Sequence, residues 1–332
     1  MSSPLPRRLG GRDHLPLGLG CMGMSDFYGP ADEATSIATI HAALDAGVTY
    51  VDTGDFYGSG HNETLLGRAL AGRRDRAFVA VKFGALRDPA GGFVGFDARP
   101  ASIRNFLAMT LKRLGTDHVD LYMPARVPAD VPIEEVAGTV GDLIRAGWVR
   151  HFGLSEAGPA SIARAHAVTP VAALQIEYGL LSRSIEANGV LALCREGGIP
   201  VTAYGVLGRG LIGGSRPSGA GDFRAHSPRF EAANLARNEA LAAALAAAAA
   251  RFGATPAQAA IAWVLSRGAD ILPLVGARRP DRLAEALATL SLHLPAEAIA
   301  AFEAAVPDGA VAGARYAPDQ MAMLDSERVA AA

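Results

Sequence analysis

The chain has 332 residues, half of them hydrophobic, and a formal net charge of −2 at pH 7. This length suits two average domains or one large α/β barrel, and the scattered basic residues argue against a nucleic-acid partner. The longest apolar run, residues 241–250, is too short to cross a bilayer, which takes about 20 residues, so no membrane segment is expected.

The cysteine content points to a reducing compartment. Cys21 and Cys194 are the two cysteines, too few for a disulfide framework, and residues 1–11 lack the apolar core of a signal peptide. We therefore expect a cytoplasmic protein. No His or Cys cluster has metal-ligand spacing, so no metal is expected. A monomer and a homo-oligomer are both compatible with the sequence.

Short apolar segments alternate with segments of helical periodicity along the chain. The predicted strands cover residues 15–20, 50–52, 78–82, 119–123, 151–155, 174–178, 201–204 and 272–275. The predicted helices cover residues 32–46, 62–70, 101–114, 132–146, 161–167, 185–195, 238–251, 256–266 and 280–289. Residues 208–235, rich in Gly, Pro, Ser and Arg, form a predicted functional loop.

Eight strand–helix units of this length predict the α/β class and a closed (β/α)8 barrel of the TIM type. The prediction is one domain over residues 1–332, with an extra C-terminal helix at 296–305 and a tail after it. Polar residues gather at the carboxyl ends of the predicted strands, where such barrels carry their active sites.

A possible proton-transfer group lies at that end of the barrel. Asp52 ends the second predicted strand, Tyr57 follows it by five residues, and Lys82 ends the third strand. An ammonium beside a phenol favours the phenolate, and a carboxylate would hold the ammonium in place. Taken alone, the three residues are equally compatible with a structural salt bridge beside a packed tyrosine.

An ordered set of short motifs resembles the aldo-keto reductase family from about residue 9 to residue 305. The motifs are 17–25 (LGLGCMGMS), 52–58 (DTGDFYG), 62–67 (NETLLG), 120–122 (DLY), 153–156 (GLSE), 175–178 (QIEY), 203–211 (AYGVLGRGL) and 276–285 (GARRPDRLAE). The resemblance implies a (β/α)8 barrel that binds NAD(P)H across its mouth. It also implies that Tyr57 is the catalytic acid–base, supported by Lys82 and Asp52.

The resemblance further assigns cofactor contacts. Ser155 and Gln175 would hold the nicotinamide amide and Tyr204 would stack on its ring. The pyrophosphate would lie along Leu207, Gly208, Arg209 and Gly210, where small residues let backbone N–H groups approach phosphate. The other expected cofactor contacts are Gly20, Met22 and Gly276. Arg278 and Arg282 would bind a 2′-phosphate, with Glu285 at the adenine, so NADPH is the expected cofactor.

One position departs from the pattern. Relatives often carry a histidine that binds the substrate carbonyl where this chain has Ala125. Arg126 is next to it, but strand alternation would point its side chain to the opposite face unless the backbone is irregular at Pro124. His61 is a second, more remote candidate. Phe27 and Tyr28, with Ala125 and Arg126, are the expected lining of the substrate pocket.

Three functions are compatible with this departure. One is an NADPH-dependent reductase of a bulkier carbonyl, an iminium or a conjugated alkene, with Tyr57 as proton donor. The second is an ordinary carbonyl reductase of modest rate, acting on pyridoxal-like or aryl aldehydes. The third is a cofactor-binding sensor with little turnover, against which the complete Asp52–Tyr57–Lys82 set argues.

Overall fold

The structure is a computed structural model that describes residues 5–25, 27–219 and 221–328. Within these ranges eight parallel strands form a closed barrel in the order β6-β7-β8-β1-β2-β3-β4-β5. The strands are β1 (Gly18–Gly20), β2 (Tyr50–Gly54), β3 (Phe78–Phe83), β4 (Val119–Pro124), β5 (Val149–Ser155), β6 (Val171–Glu177), β7 (Val201–Tyr204) and β8 (Ile271–Gly276). The predicted (β/α)8 barrel is confirmed.

Helices cover the outside of the barrel and continue into the C-terminal region. They are α1 (Glu33–Asp45), α2 (His61–Leu70), α3 (Pro100–Leu114), α4 (Ile133–Arg145), α5 (Pro159–Val168), α6 (Val190–Glu196), α7 (Ala232–Ala250), α8 (Pro256–Ser266), α9 (Pro280–Ala288), α10 (Ala296–Ala305) and α11 (Pro318–Met321). Contact between α9 and α1 completes the outer ring. No helix among the described residues has both the length and the apolar character needed to cross a membrane.

Local signals in the sequence set the helix ends. Asp32 caps α1 by accepting a hydrogen bond from the backbone N–H of Thr35 at 2.7 Å. Thr255 and Gln258 form a capping box at the start of α8. Gly115 ends α3 with a φ of 63°, a left-handed conformation that glycine adopts without steric cost.

A short hairpin, Arg7–Leu9 with Arg12–His14, closes the amino-terminal end of the barrel. Leu9 packs into the barrel interior with Tyr50 and Phe78. The buried Arg7 guanidinium donates to the carbonyl oxygen of Ile271 at 2.7 Å. Closure at this end leaves the carboxyl ends of the strands as the open mouth.

The structure differs from the predicted elements in several places. Helix α6 begins at Val190 and not at residue 185, and α11 lies in the predicted tail. The closing hairpin and a second one, Ala85–Arg87 with Phe93–Phe96, were not predicted, because strands of three or four residues carry too little periodicity. Helix α7 begins at Ala232, inside the segment predicted as a loop. Alanine-rich sequence favours helix there despite the polar residues in its first turns.

Candidate active site

The structure brings Asp52, Lys82 and Tyr57 together at the carboxyl ends of β2 and β3. Lys82 Nζ lies 2.6 Å from both carboxylate oxygens of Asp52. The same Nζ lies 5.2 Å from the centre of the Tyr57 ring. All three residues are at most 5% exposed. The structure thus contains a buried ion pair directly beside a buried phenol.

The turn after β2 fixes the position of Tyr57. Gly58, Ser59 and Gly60 have φ values of 56°, 53° and 93°, so the chain makes a tight left-handed turn before α2. The backbone N–H of Asp55 donates to the carbonyl oxygen of Lys82 at 2.9 Å, which joins this turn to β3. The Tyr57 ring also packs edge-on against Phe27, with 5.8 Å between ring centres.

Electrostatics in this arrangement favour the neutral phenol. Burial raises the pKa of Tyr57 well above its usual value, and the Asp52 carboxylate raises it further. The expected shift of the Tyr57 pKa toward the phenolate is therefore not found, because burial has the largest effect and the Asp52 carboxylate adds to it. Burial lowers the pKa of Lys82, while Asp52 opposes this change. A phenol that keeps its proton is suited to act as an acid.

Ser155 and Gln175 are neighbours in the pairing of β5 with β6, and both are buried. The side-chain amide of Gln175 donates to Oδ2 of Asp52 at 2.7 Å, so it extends the ion pair across the barrel. Tyr204, at the end of β7, lies beside Glu177 in the β6–β7 pairing. These residues therefore share one mouth with Asp52 and Lys82.

Gly20 and Gly276 lie side by side where β1 and β8 end. A Cβ atom placed on Gly20 would be 3.7 Å from Gly276, an ordinary contact, so the packing of the protein itself does not require glycine here. Gly20 is half-buried and Gly276 is exposed, so the backbone is accessible at this part of the rim. Met22 begins the turn that follows β1.

The turn expected to bind pyrophosphate runs from Leu207 to Gly210. Its charged side chain, Arg209, is bound to other groups of the protein. Arg209 donates to Oε2 of Glu177 at 2.9 Å and to the carbonyl oxygen of Arg315 at 2.6 Å. The N–H groups of Gly208 and Gly210 are hydrogen-bonded inside the turn. Gly208 has a φ of 57°, a left-handed conformation that favours glycine, and a Cβ there would meet the Leu181 side chain.

The three residues expected at the adenosine end lie at the start of α9. Arg278 donates from Nη1 to the carbonyl oxygens of Tyr28, Gly29 and Pro30 at 3.1, 3.4 and 3.3 Å. Arg282 is largely exposed and forms an ion pair with Glu285 at 3.0 Å. Two guanidinium groups at a helix N-terminus fit a phosphate group.

The end of β4 differs from the sequence-based expectation. The strand stops at Pro124, and Ala125 is buried, with its N–H donating to the carbonyl oxygen of Phe83 at 2.8 Å. Because the strand has ended, alternation no longer fixes the next side chain. Arg126 turns back over Ala125 and lies 5.6 Å from the centre of the Tyr316 ring. It therefore lies at the mouth rather than on the opposite face.

The C-terminal tail forms a wall of the mouth. Tyr316 and Tyr204 share a hydrogen bond of 2.8 Å, and Tyr204 also donates to Glu156 at 2.6 Å. The Arg209 guanidinium lies 4.1 Å from the centre of the Tyr316 ring. No local pattern connects a tail residue to β7 across 112 positions, so the contact could not be found from the sequence.

His61 lies outside this mouth. Its Nδ1 is 2.8 Å from Ser25 Oγ, and its Nε2 is 2.8 Å from Glu33 on α1. These contacts tie the start of α2 to α1. The side chain is 41% exposed, as expected for a surface residue.

A closed barrel with a buried Tyr–Lys–Asp set at its mouth is the arrangement expected of a reductase. Residues 16–307 match the aldo/keto reductase family. An aldo-keto reductase of Schizosaccharomyces pombe, whose name gives NADP(+), is 38% identical over 323 residues, covering 95% of each chain. A probable aldo-keto reductase of Glycine max is 40% identical over 309 residues, covering 90% of this chain and 88% of the relative.

Solved structures agree with these matches. The glycerol dehydrogenase of Gluconobacter oxydans superposes with a TM-score of 0.82 at 29% identity, covering 92% of this chain and 95% of that one. An aldo/keto reductase of Klebsiella pneumoniae, solved with NADP and acetate, has a TM-score of 0.73 at 25% identity and covers 94% and 98%. The chain belongs to the aldo/keto reductase family, which confirms the predicted oxidoreductase class.

Proposed function

We propose that this protein reduces a carbonyl group with NADPH and that Tyr57 donates the proton. The observation that carries the proposal is the buried Lys82–Asp52 pair, with contacts of 2.6 Å, beside the Tyr57 ring. Active sites of this fold lie at the carboxyl ends of the barrel strands, which is where this ion pair lies.

The cofactor is NADPH, which supplies the hydride when bound. The accessible backbone at Gly20 and Gly276 and the cations Arg278 and Arg282 support this assignment. The Schizosaccharomyces pombe relative carries NADP(+) in its name, and the Klebsiella pneumoniae structure contains NADP. Ser155 and Gln175 would hold the amide of the nicotinamide, and Tyr204 would face its ring.

The residues of the chain provide the proton and keep the charge balanced. Tyr57, whose pKa is raised by burial, stays protonated and donates its O–H proton to the oxygen of the substrate. The phenolate that remains is stabilised by the nearby Lys82 ammonium. Asp52 keeps Lys82 charged and in place, and Gln175 orients Asp52. This order of events needs a neutral phenol at rest, in agreement with the raised pKa.

The substrate range and location are further parts of the proposal. With Ala125 in place of a histidine, the pocket has room for a bulky carbonyl compound; an iminium or a conjugated alkene could use the same proton donor. The buried free cysteines, Cys21 and Cys194, suit a cytoplasmic protein.

The test is the variant Tyr57→Phe, which removes the proton donor and keeps the ring. We expect NADPH oxidation with aryl aldehydes to fall by about 10²–10⁴-fold, while the affinity for NADPH, measured by cofactor fluorescence, stays within about twofold. Tyr178→Phe, which removes a phenol outside the mouth, is the matched control. Full activity in Tyr57→Phe would exclude Tyr57 as the donor.

A further inference from the structure

Arg126 differs from the other cations of the mouth in its surroundings. Its Nη1 donates to the carbonyl oxygen of its neighbour Ala125 at 2.6 Å, and its guanidinium faces the Tyr316 ring at 5.6 Å. The side chain is partly exposed, whereas Lys82 and Arg315 are buried. It therefore presents a charged group to the space above Ala125.

The other cations around the mouth all have carboxylate partners. Lys82 is paired with Asp52 at 2.6 Å, Arg209 with Glu177 at 2.9 Å, and Arg315 with Glu156 at 2.6 Å. For Arg126, no carboxylate of the described residues lies within salt-bridge distance. Its charge is therefore not balanced by direct contact with the protein.

The nearby carboxylates are already occupied. Both oxygens of Glu156 accept from Arg315, and Tyr204 and Ser326 bind one oxygen each. Glu177 accepts from Arg209, Arg229 and Ser182. Neither residue can turn to Arg126 without breaking buried hydrogen bonds, which is costly. Glu156 therefore acts on Arg126 only at a distance, and the guanidinium remains available to an anion from outside the chain.

Aromatic rings connect the proposed proton donor with this cation. Phe27 is 5.8 Å from Tyr57 and 5.8 Å from Phe223, and Phe223 is 6.2 Å from Tyr316, ring centre to ring centre. Tyr316 is the ring that Arg126 faces. These rings form an aromatic wall between Tyr57 and Arg126. Arg209 also contacts the wall, but its charge is paired with Glu177. This arrangement fits a molecule with an apolar body and a charged end.

We propose that Arg126 binds a carboxylate on the substrate, so that the preferred substrates are aromatic or similarly apolar aldehydes and ketones bearing a carboxylate group. A guanidinium binds a carboxylate through two parallel hydrogen bonds, and such charge-assisted bonds are stronger where water is partly excluded. The inference rests on the proposed reductase function.

The test compares substrates that differ by one carboxylate. The values of kcat/KM with NADPH would be measured for benzaldehyde and for 2-, 3- and 4-carboxybenzaldehyde. We expect the protein to prefer at least one carboxylated isomer by about 10- to 100-fold, the range for one charge-assisted interaction. In Arg126→Gln the kcat/KM values for the carboxylated and the plain aldehyde should become about equal, mainly because the KM for the carboxylated aldehyde rises. Arg126→Lys should restore part of it.

A binding measurement keeps the inference testable without turnover. With NADP+ present, calorimetry should show that benzoate binds the protein about 10-fold more tightly than it binds Arg126→Gln, and that this binding weakens with salt. Benzyl alcohol, which lacks the charge, should show no such difference. The exposed Arg216, paired with Glu239, offers the matched control Arg216→Gln, which should behave like the unchanged protein.

The outcomes separate the two proposals. Equal kcat/KM values for benzaldehyde and all three carboxylated isomers, or a preference that survives in Arg126→Gln, would overturn the role of Arg126 and leave the reductase function standing. If none of these aldehydes is reduced, the reductase proposal fails for this class. Benzoate binding then decides about Arg126 by itself.

Discussion

Arg315 in the C-terminal tail binds Glu156 at the end of β5 through two contacts, at 2.8 and 2.6 Å. Glu156 is fully buried, and burial alone would raise its pKa, but Arg315 reverses the effect and holds the pKa at about 2. Because Tyr316 follows directly, this ion pair places the ring that closes the mouth. The tail is therefore a structural part of the site.

Removing one partner of this pair should strongly destabilise the protein. Arg315→Met keeps the length of the side chain and leaves Glu156 as a buried charge without its main partner. We expect the free energy of unfolding at neutral pH, measured with urea, to fall by about 3–5 kcal/mol. Arg328→Met provides a control in the same tail, because Arg328 is exposed and lies 3.7 Å from Asp325. It should change the stability by less than about 1 kcal/mol.

The double variant Glu156→Gln with Arg315→Met distinguishes a lost contact from an isolated charge. It removes the buried carboxylate together with its partner, so its loss of stability should be smaller than that of Arg315→Met. Equal losses in the single and double variants would show that the charge of Glu156 is not the cause.

Asp55 should make the stability depend on pH. Burial, and to a smaller extent Glu63, raise the pKa of Asp55 from 3.8 to about 8 in the folded protein. The folded state thus holds this proton more tightly than the unfolded state. The stabilisation of the folded state by this proton is complete below about pH 4 and is lost as the pH rises to about 8. The free energy of unfolding should therefore decrease over that range.

Asp55→Asn should remove this decrease, because the amide does not ionise and can still accept the hydrogen bond from the Gly84 N–H. Urea unfolding at several pH values would show the variant gaining stability over the unchanged protein as the pH rises. Asp319→Asn changes an exposed carboxyl group and should follow the unchanged protein. Parallel curves for Asp55→Asn and the unchanged protein would rule out Asp55 as the source.

The barrel was predictable because its strands are buried on both faces and its helices carry cap residues. Such strands are short continuous apolar runs, and β7 agrees with its predicted range at both ends. The same holds for α8, which has a capping box. The closing hairpin at Arg7 was missed, because its stability comes from packing under the barrel and not from its own pattern.

The proton-transfer set was predictable for a related reason: Asp52, Tyr57 and Lys82 lie near strand ends that parallel pairing must bring together. The residues that surround this set could not be predicted from the sequence. The contacts of Arg126, Arg209 and Tyr316 depend on where a bent strand end, a glycine turn and a tail meet in space. Burial raises the pKa of Tyr57, and the burial of this residue likewise depends on how the whole mouth is assembled.

The cations at the start of α9 should determine which cofactor is used. Arg282 has a largely exposed side chain whose carboxylate partner is Glu285, so it can turn toward a 2′-phosphate at little cost. Arg282→Ala should raise the KM for NADPH about tenfold. The KM for NADH, which lacks that phosphate, should change by less than about twofold. Steady-state kinetics with one aldehyde and both cofactors would measure this.

Arg279→Ala is the matched control for this prediction. Arg279 is next in the chain to Arg278 and equally close to α9, but both of its bonding nitrogens are directed to Asp281, at 2.9 and 2.7 Å. Its loss should raise the KM for NADPH much less than the loss of Arg282, because two hydrogen bonds fix Arg279 on one carboxylate whereas Arg282 makes one, to Glu285. If both variants raise the KM for NADPH equally, the effect comes from the general positive field of this region and not from a specific phosphate contact. If Arg282→Ala raises the KM for NADPH and for NADH alike, Arg282 contacts a part of the cofactor that NADPH and NADH share.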